Sequence, residues 1–408
     1  MRPLEIFRKQ IILAVALLAA VLLPAAAQAW TYKVISSFCG GEKCPEGDGP
    51  WAPLTMDTAG NLYGTTSGPG PGAVFKIDIS GRKPKLNALY TFCRKANCVD
   101  GSSPFAGVIL DVAGNLYGTA YGGGKNGQGV VYKLSPPPPG SKKWRLQILH
   151  SFCSACGDGT GPLAGLAYPG ANEGALYDGI SPLYGTAEIG GPHDGGVVFQ
   201  LKPSSDKGHW RETILYSFCV QANCADGLNP YVGTLLIDDS GRILGTTQYG
   251  GANDGGTVFQ LTPGGEAWNY AVLYSFCVQE NCADGLYPIG GIYEDKQGNL
   301  FGTTGGDVGY LGGNVFKLTP QGQQYQLNVL HTFCLPHFCN DGSQPWTTLI
   351  ADKSGNVYGT TQYGGGNYND GCSCGAEQFS VSATAQKQSS THSAQKLDAR
   401  TATIPGRR

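Results

Sequence analysis

A sixfold repeat occupies most of this 408-residue chain and restricts its possible folds more than any other feature of the sequence. The pair Phe-Cys recurs along the chain, and a Gly-Thr pair follows each copy. The Phe-Cys pairs begin at Phe38, Phe92, Phe152, Phe218, Phe276 and Phe333, and the Gly-Thr pairs begin at Gly64, Gly118, Gly185, Gly245, Gly302 and Gly359. Two independent markers in the same number and order indicate six homologous units that must pack on one another to bury a core.

One unit, from Ala267 to Pro320, shows the predicted secondary structure clearly. Bulky side chains alternate with smaller or polar ones from Trp268 to Phe276, which is the two-residue period of a strand with one buried face. A loop covers residues 277–288, and a short second strand is expected at residues 289–294. The sequence Asp-Lys-Gln-Gly-Asn at residues 295–299 is typical of a type I turn that closes a hairpin. Residues 300–304 and 314–318 are then the third and fourth strands.

Four short antiparallel strands in each of six units, with no helical period, predict an all-β fold, a six-bladed β-propeller. A single small sheet cannot bury both of its faces, whereas sheets stacked around an axis can. A β-solenoid is the alternative, but its coils are usually shorter and simpler than these units. The predicted propeller covers residues 30–371, with blades at about residues 30–79, 80–136, 137–203, 204–263, 264–320 and 321–371.

Two units depart from this pattern. The third carries an insertion, residues 168–182, in place of the short turn between its second and third strands, and we expect the insertion to project from the edge of the blade. The sixth lacks its expected last strand, because the sequence runs into a tail, residues 372–408, that is rich in Ser, Thr, Ala and Gln. We expect this tail to be disordered and the last blade to be incomplete, unless residues 378–382 supply the missing strand.

The first 29 residues have the composition of a secretory signal peptide. A basic start precedes an uninterrupted apolar run from Ile11 to Leu23, and Ala27-Gln28-Ala29 fits the small-x-small cleavage rule. A retained membrane anchor is the alternative, but this run is shorter than the roughly 20 residues that a spanning helix needs. We therefore expect a secreted protein, extracellular or periplasmic, with no membrane span after cleavage.

Twelve of the 14 cysteines form pairs in phase with the repeat, each just after the first strand of a unit and before an Asp-Gly. The pairs are Cys39 with Cys44, Cys93 with Cys98, Cys153 with Cys156, Cys219 with Cys224, Cys277 with Cys282 and Cys334 with Cys339. In an exported protein such pairs predict disulfides. Zinc binding is the alternative, but no histidine recurs in phase with the cysteines, so we predict no metal site. Cys372 and Cys374 have no assigned partner.

Strand direction predicts which loops share a surface. Because strands alternate in direction, the loops after the first and third strands of every unit lie on one side, which we call the clamped face. It gathers the cysteine pairs, the Asp-Gly turns and the Gly-rich loops, where exposed tyrosines suit contact with carbohydrate or protein. The candidate binding residues are Asp226, Asp284, Asp341, Tyr121, Tyr249, Asn253, Asp254 and Tyr363. For the aspartates a structural role is the alternative, since Asp before Gly is a turn former.

No catalytic motif is present: the sequence lacks a G-x-S-x-G elbow, an H-E-x-x-H pair and a phosphate loop. With 28 basic against 30 acidic residues, no basic surface predicts a nucleic-acid partner. We predict no catalytic residues and no cofactor, and interpret the chain as a non-enzymatic binding or scaffolding propeller that contacts polysaccharide or another surface protein. The alternative is a propeller enzyme that acts on carbohydrate or a lactone through an acidic site near the axis.

The repeat resembles a known family. It reads Leu-Tyr-Ser-Phe, then Asp-Gly-x-x-Pro, then Gly-Asn-Leu-Tyr-Gly-Thr-Thr, then Gly-Gly-Thr-Val-Phe-Gln-Leu-Thr-Pro, most clearly at residues 273–276, 284–288, 298–304 and 255–263. This pattern resembles the GloVer repeat of bacterial choice-of-anchor tandem-repeat proteins over about residues 31–371. The resemblance implies an exported, surface-associated bacterial protein with a propeller-like repeat, and it brings no catalytic residues.

Overall fold

The computed structural model describes residues 34–38, 46–68, 70–206, 208–265, 267–306, 312–322, 324–334 and 341–363, together with the backbone of residues 377–382. Within these ranges the chain is all β apart from short 3-10 turns, and every strand lies in the compact unit formed by residues 36–408. The predicted signal peptide lies outside the described residues, as do Cys39, Cys44, Cys339, Cys372 and Cys374.

Six antiparallel sheets follow one another along the chain, and the strands of each sheet pair in sequence order. Sheet 1 contains β1 (Thr55–Met56), β2 (Leu62–Thr66), β3 (Ala73–Asp78) and β4 (Lys85–Thr91). Sheet 2 contains β5 (Ile109–Leu110), β6 (Leu116–Ala120), β7 (Val130–Ser135) and β8 (Arg145–Ser151). Sheet 3 contains β9 (Leu183–Ala187), β10 (Val197–Pro203) and β11 (Trp210–Ser217).

The remaining sheets repeat this arrangement. Sheet 4 contains β12 (Leu236–Ile237), β13 (Ile243–Thr247), β14 (Thr257–Gly264) and β15 (Ala267–Ser275). Sheet 5 contains β16 (Tyr293–Glu294), β17 (Leu300–Thr304), β18 (Asn314–Gln321) and β19 (Gln324–Thr332), and sheet 6 contains β20 (Ile350–Ala351), β21 (Asn356–Thr361) and β22 (Glu377–Ser382). Short 3-10 turns occur at Ala96–Cys98, Ser154–Cys156, Ala171–Glu173, Ala222–Cys224 and Glu280–Cys282.

Apolar side chains between consecutive sheets form the core. Five clusters of buried residues join sheet 1 to sheet 2, and so on to sheet 6. Phe218, at the end of β11 in sheet 3, illustrates the contact: its ring centroid lies 5.1 Å from that of Phe259 in sheet 4. Repeated four-stranded sheets that bury their faces against their neighbours establish the predicted β-propeller.

The sheets begin one strand later than the predicted blades. The first strand of each sequence unit pairs with the last strand of the unit before it: β15 pairs with β14, whereas β16 pairs with β17. Sheet 5 therefore runs from Tyr293 to Thr332, not over residues 264–320, and the other predicted blade boundaries shift in the same way. The reason is the length of the connections, because a tight hairpin joins β14 to β15 whereas the long cysteine loop separates β15 from β16.

Residues 377–382 correct the prediction for the tail. They form β22, which runs antiparallel to β21 with Asn356 opposite Ser382. This strand takes the place of the missing fourth strand, so the part of residues 372–408 that the structure describes is not disordered. Among the residues described, sheet 6 has three strands, one fewer than sheets 1, 2, 4 and 5.

The Gly-Thr marker has two separate structural causes. Gly245 faces the ring of Phe259 on the neighbouring strand, and a Cβ atom at this glycine would lie 2.6 Å from Cζ of that ring. The next residue, Thr246, donates its hydroxyl hydrogen to the carbonyl oxygen of Gly290, which precedes sheet 5, at 3.1 Å. Thr65, Thr119 and Thr303 make the equivalent hydrogen bond to the following unit. The glycine thus admits an aromatic ring within a sheet, and the threonine links consecutive sheets.

The insertion in the third unit packs against neighbouring sheets and does not project. Tyr177 is fully buried, accepts a hydrogen bond from the Val112 amide at 3.0 Å and lies edge-on to Tyr117 of sheet 2. On the other side, Asn172 donates to the carbonyl oxygen of Ile237 in sheet 4 at 2.9 Å. The tyrosines of the insertion supply the apolar surface that packs it against sheet 2. The Gly- and Ala-rich sequence of the insertion does not suggest this role.

Candidate functional site

The cysteine loops are small, internally bonded clamps. Disulfides join Cys93 to Cys98, Cys153 to Cys156, Cys219 to Cys224 and Cys277 to Cys282, which confirms these four predicted pairs. A bridge across so few residues limits the conformations of the loop at the end of each outer strand.

The first and sixth predicted pairs are not confirmed in this way. Both cysteines of the first pair, Cys39 and Cys44, lie outside the described residues, so their pairing stays a prediction. In the sixth pair, Cys334 is disulfide-bonded, whereas its predicted partner Cys339 lies outside the described residues. The clamp motif is therefore established for the second to fifth units.

The aspartate that follows each clamp completes it. Asp226 is fully buried, and its carboxylate accepts hydrogen bonds from the Tyr216 hydroxyl at 2.8 Å and from the amides of Val220 at 3.1 Å and Gln221 at 3.0 Å. Asp284 is equally buried and accepts the same three kinds of hydrogen bond. Both were candidate binding residues, and the structure places both carboxylates inside the clamp, away from the surface.

The carboxylate of Asp100 shows the electrostatics of this motif. Burial alone would raise its pKa, but hydrogen bonds from the Tyr90 hydroxyl and from the amides of Arg94 and Lys95 hold the pKa below the usual 3.8. Asp341 is more exposed than the others, and His331 takes the place of the tyrosine there, with Nε2 at 3.0 Å from the carboxylate. The aspartate is therefore a structural anion that organises the loop around it.

The Gly-rich loops lie on the same side as the clamps, as strand direction predicted. The amide of Gly251 donates to the carbonyl oxygen of Cys224 at 3.0 Å, within one sequence unit. Asn253 donates from its side chain to the carbonyl oxygen of Cys277 at 2.7 Å, in the next clamp. Asp254 accepts the amide hydrogen of Gly250 at 2.8 Å. Both polar side chains are exposed at the surface, yet each has a bond that shapes the loop.

The central end of the propeller is marked by the short first strand of sheets 1, 2, 4, 5 and 6 and, in sheet 3, by the isolated bridge of Ala167 to Tyr184. The threonine bonds described above all reach the segment just before such a strand, and a Cβ atom on Gly233 would lie 2.9 Å from the carbonyl oxygen of Gly290 in the next unit. Backbones of consecutive units therefore approach most closely here. Side chains that enter these strands from the clamped face lie around the axis.

An aromatic set that the sequence interpretation missed occupies this central position. In every unit one residue follows the proline of the Asp-Gly-x-x-Pro stretch and precedes the second strand of the unit. In the first unit this stretch is shortened to Asp-Gly-Pro. These residues are Trp51, Phe105, Leu163, Tyr231, Ile289 and Trp346. Four of the six units have an aromatic residue at this position. The sequence could have predicted the set from this regularity, but only after the units are aligned on the proline.

Two predicted tyrosines adjoin the central set. Tyr121 packs edge-on to Phe105 of this set with ring centroids 6.0 Å apart, and Tyr249 packs at 5.0 Å on Tyr287, which lies outside the set. Both Tyr121 and Tyr249 are near enough to Tyr231 of the set to help raise its pKa. Tyr121 is 38% exposed, Tyr363 is 44% exposed and Trp51 is 63% exposed, so these rings present apolar surface to solvent. The structure therefore brings Tyr121 and Tyr249 to a shared surface with residues that were not predicted.

One carboxylate, Glu188, belongs to this surface. Burial raises its pKa, and burial together with the charge of Glu188 raises the pKa values of Tyr121 and Tyr231. Among the residues described, no second carboxylate contributes to the shift of either tyrosine. Glycoside hydrolysis usually requires two facing carboxylates, and Glu188 is the one that acts on these two tyrosines.

A family model described as the Gloeobacter/Verrucomicrobia repeat matches residues 22–182 and 178–373 of the chain. No curated protein sequence matches it. Over the described part of the chain, no helix has the length and apolar character needed to cross a membrane.

Solved structures with similar coordinates are distant in sequence. A protein from Thermus thermophilus described as an oxidoreductase (glucose dehydrogenase) shares 15% identity over 78% of this chain and 92% of its own, with a TM-score of 0.42. The endo-arabinase of Bacteroides thetaiotaomicron shares 14% over 69% and 92%, with a TM-score of 0.32. A protein from Lactobacillus plantarum shares 12% over 77% of both chains, with a TM-score of 0.41. Similarity at this level assigns no activity to this chain.

Proposed function

This chain belongs to the Gloeobacter/Verrucomicrobia repeat family, and from that premise we propose that it is an exported, non-enzymatic binding protein whose clamped face contacts polysaccharide. The proposal depends on the aromatic surface around Phe105, Tyr121 and Tyr231, and on the exposed Trp51 at the equivalent position of the first unit. A flat aromatic ring offers a large apolar contact area to the C–H face of a sugar, and a tyrosine hydroxyl adds a hydrogen bond at its edge.

The clamps support this role because they limit the entropy lost on binding. Disulfides and buried aspartates fix the loops around the aromatic rings before a ligand arrives, and pre-organised contacts bind more tightly than mobile ones. Export is supported by the same disulfides, which persist in oxidising compartments, and by the signal-peptide pattern of residues 1–29.

A glycan array and pull-down on insoluble polysaccharides test the proposal with the purified exported chain. The substitutions Trp51→Ala and Tyr121→Ala should each weaken capture by about 5- to 30-fold, as loss of an aromatic contact does at other interfaces. Ile180→Ala is the matched control, because Ile180 is an exposed apolar residue of the insertion, on the opposite face. Equal losses for all three variants would count against the aromatic surface.

The two competing functions have their own readouts. If the chain captures a surface protein and no glycan, and the aromatic variants lose that capture, the partner is a protein and not a polysaccharide. Turnover in a panel of glycoside and lactone substrates, abolished by Glu188→Gln, would establish the enzymatic alternative and overturn the proposal.

A further inference from the structure

The contact between the outer strands of sheets 2 and 3 differs chemically from the equivalent contact between sheets 3 and 4. Between sheets 3 and 4, Tyr216 stacks on Tyr270 with ring centroids 3.9 Å apart and ring planes 8° from parallel. Between sheets 2 and 3 the same two repeat positions hold His150 and Glu212. An aromatic stack is thus replaced by an imidazole that faces a carboxylate.

A second carboxylate joins this pair. Nε2 of His150 lies 2.9 Å from Oδ2 of Asp158, the clamp aspartate of the third unit, and 3.6 Å from Oε2 of Glu212. The three candidate ligand atoms all lie within 4.8 Å of one another. A tetrahedral ion with bonds of about 2.0–2.1 Å holds its ligand atoms roughly 3.3 Å apart, so the two measured distances lie on either side of that spacing.

The cluster is also largely shielded from solvent and contains an unpaired oxygen. The side chains of His150, Asp158 and Glu212 are 18%, 13% and 11% exposed, and the buried Oε1 of Glu212 accepts no hydrogen bond. When both carboxylates are ionised, the cluster carries net negative charge whatever the charge of the imidazole. Sparsely solvated negative charge of this kind is stabilised by a bound cation.

We infer that His150, Asp158 and Glu212 form a binding site for a divalent transition-metal ion such as Zn²⁺, with water as the fourth ligand. The imidazole nitrogen favours zinc over calcium and magnesium, which take oxygen ligands. The ligands come from β8, from the third clamp and from β11, so the ion cross-links sheets 2 and 3 at their outer strands. This structural site lies outside the aromatic surface and goes beyond the proposed binding function.

The sixth unit provides an internal control. His331 and Asp341 repeat the histidine–aspartate pair at 3.0 Å, but both are exposed by more than a third, and no third ligand joins them among the residues described. The inference therefore predicts one zinc site in the chain, and it predicts that this site depends on Glu212.

The test titrates the purified full chain, freed of metal by a chelator, with Zn²⁺ in a calorimeter and with Co²⁺ by visible absorption. We expect one ion per chain, and Co²⁺ bands typical of a four-coordinate site. Glu212→Gln should weaken binding by at least about 10- to 100-fold, which is the effect of losing even an outer-shell partner. His331→Tyr should leave the affinity unchanged. Failure of Zn²⁺ to bind, or equal loss in both variants, would overturn the inference.

A second variant keeps the test valid if Glu212→Gln misfolds. The double substitution His150→Tyr with Glu212→Tyr recreates the tyrosine pair found at residues 216 and 270, so we expect it to fold with an unchanged far-UV spectrum. Zn²⁺ should raise the Tm of the original chain, because a ligand that binds only the native state stabilises it, and should not raise that of the double variant. An equal rise in both proteins would place the ion elsewhere and contradict the assignment.

Discussion

Nη2 of Arg242 lies 2.7 and 2.6 Å from the two carboxylate oxygens of Glu294, and this contact connects sheet 4 to sheet 5. Nε of the same guanidinium lies 2.8 Å from Asp238, in the turn between β12 and β13. Each of the Arg242 and Glu294 side chains exposes less than a fifth of its surface to solvent. A partly desolvated, multiply bonded arginine of this kind holds neighbouring sheets in a fixed orientation.

Replacing Arg242 by Met should destabilise the protein by about 2 kcal/mol, between the values for exposed and fully buried ion pairs. The loss arises mainly because Glu294 remains in place without its partner. Urea unfolding of Arg242→Met, Glu294→Gln and the double variant measures the coupling. Arg82→Met, at an exposed site, is the control. Strictly additive single effects would show that the two residues do not stabilise each other.

The substitution Gly245→Ala should destabilise the fold by about 1–3 kcal/mol, which is the usual cost of overpacking a core. The added methyl group would meet the ring of Phe259 at 2.6 Å, and strand pairing on both sides of Gly245 prevents the backbone from moving away. Gly70→Ala is the matched control, because a Cβ atom there has no neighbour within 4 Å. Thermal unfolding compares the two variants, and a Tm for Gly245→Ala equal to that of the control would refute the steric explanation.

The sequence predicted the parts of this fold that depend on local pattern. The alternation from Trp268 to Phe276 identified a strand, and Asp295 to Asn299 form the expected turn, with the Gly298 amide at 3.0 Å from the Asp295 carbonyl oxygen. Which strands share a sheet was not predictable in this way, because a repeat has no intrinsic starting point. The pairing of β15 with β14 depends on connection lengths that pattern alone does not weigh.

The candidate site was predicted only in part, for a related reason. Tyr121 was identified because it stands beside a Gly-rich loop, but Phe105 and Tyr231 belong to other units and approach it only through the stacking of sheets. His150 stands where the Leu-Tyr-Ser-Phe pattern has tyrosine, and this position alone does not indicate a metal ligand. Its proximity to Glu212 depends on a contact between two outer strands of different sheets, which sequence separation conceals.

Replacing Asp226 by Ala should cost about 1–3 kcal/mol for each donor left unpaired, because the hydroxyl of Tyr216 and the amides of Val220 and Gln221 point at a buried carboxylate. Asp341→Ala removes the same repeat position at a more exposed site and should cost less. Denaturant unfolding measures both. If the two substitutions cost the same, burial does not govern the contribution of this aspartate.

The depressed pKa of Asp100 predicts a dependence of stability on pH. In the unfolded chain this carboxyl takes up a proton near its usual value of 3.8, whereas the native state stays ionised to lower pH. Stability from this group is therefore fully present above pH 3.8 and is lost as the pH falls through the native pKa. The difference in unfolding free energy between the original chain and Asp100→Asn should shrink as the pH decreases below about 4. A difference that is constant from about pH 6 to the lowest pH that retains folding would disprove this assignment.

Removal of one clamp should loosen the Gly-rich loop attached to it. The amide of Gly251 donates to the carbonyl oxygen of Cys224, so the double substitution Cys219→Ser with Cys224→Ser frees the acceptor to move. Loop-closure entropy predicts a loss of roughly 2 kcal/mol in stability for so short a disulfide loop. Hydrogen exchange should accelerate at the Gly251 amide, while the equivalent amide of Gly124, bonded to the carbonyl oxygen of Cys98, keeps its rate because that clamp is intact. Unchanged exchange at Gly251 would show that the buried Asp226 holds the loop without help from the disulfide, and acceleration at both amides would indicate global unfolding in place of local release.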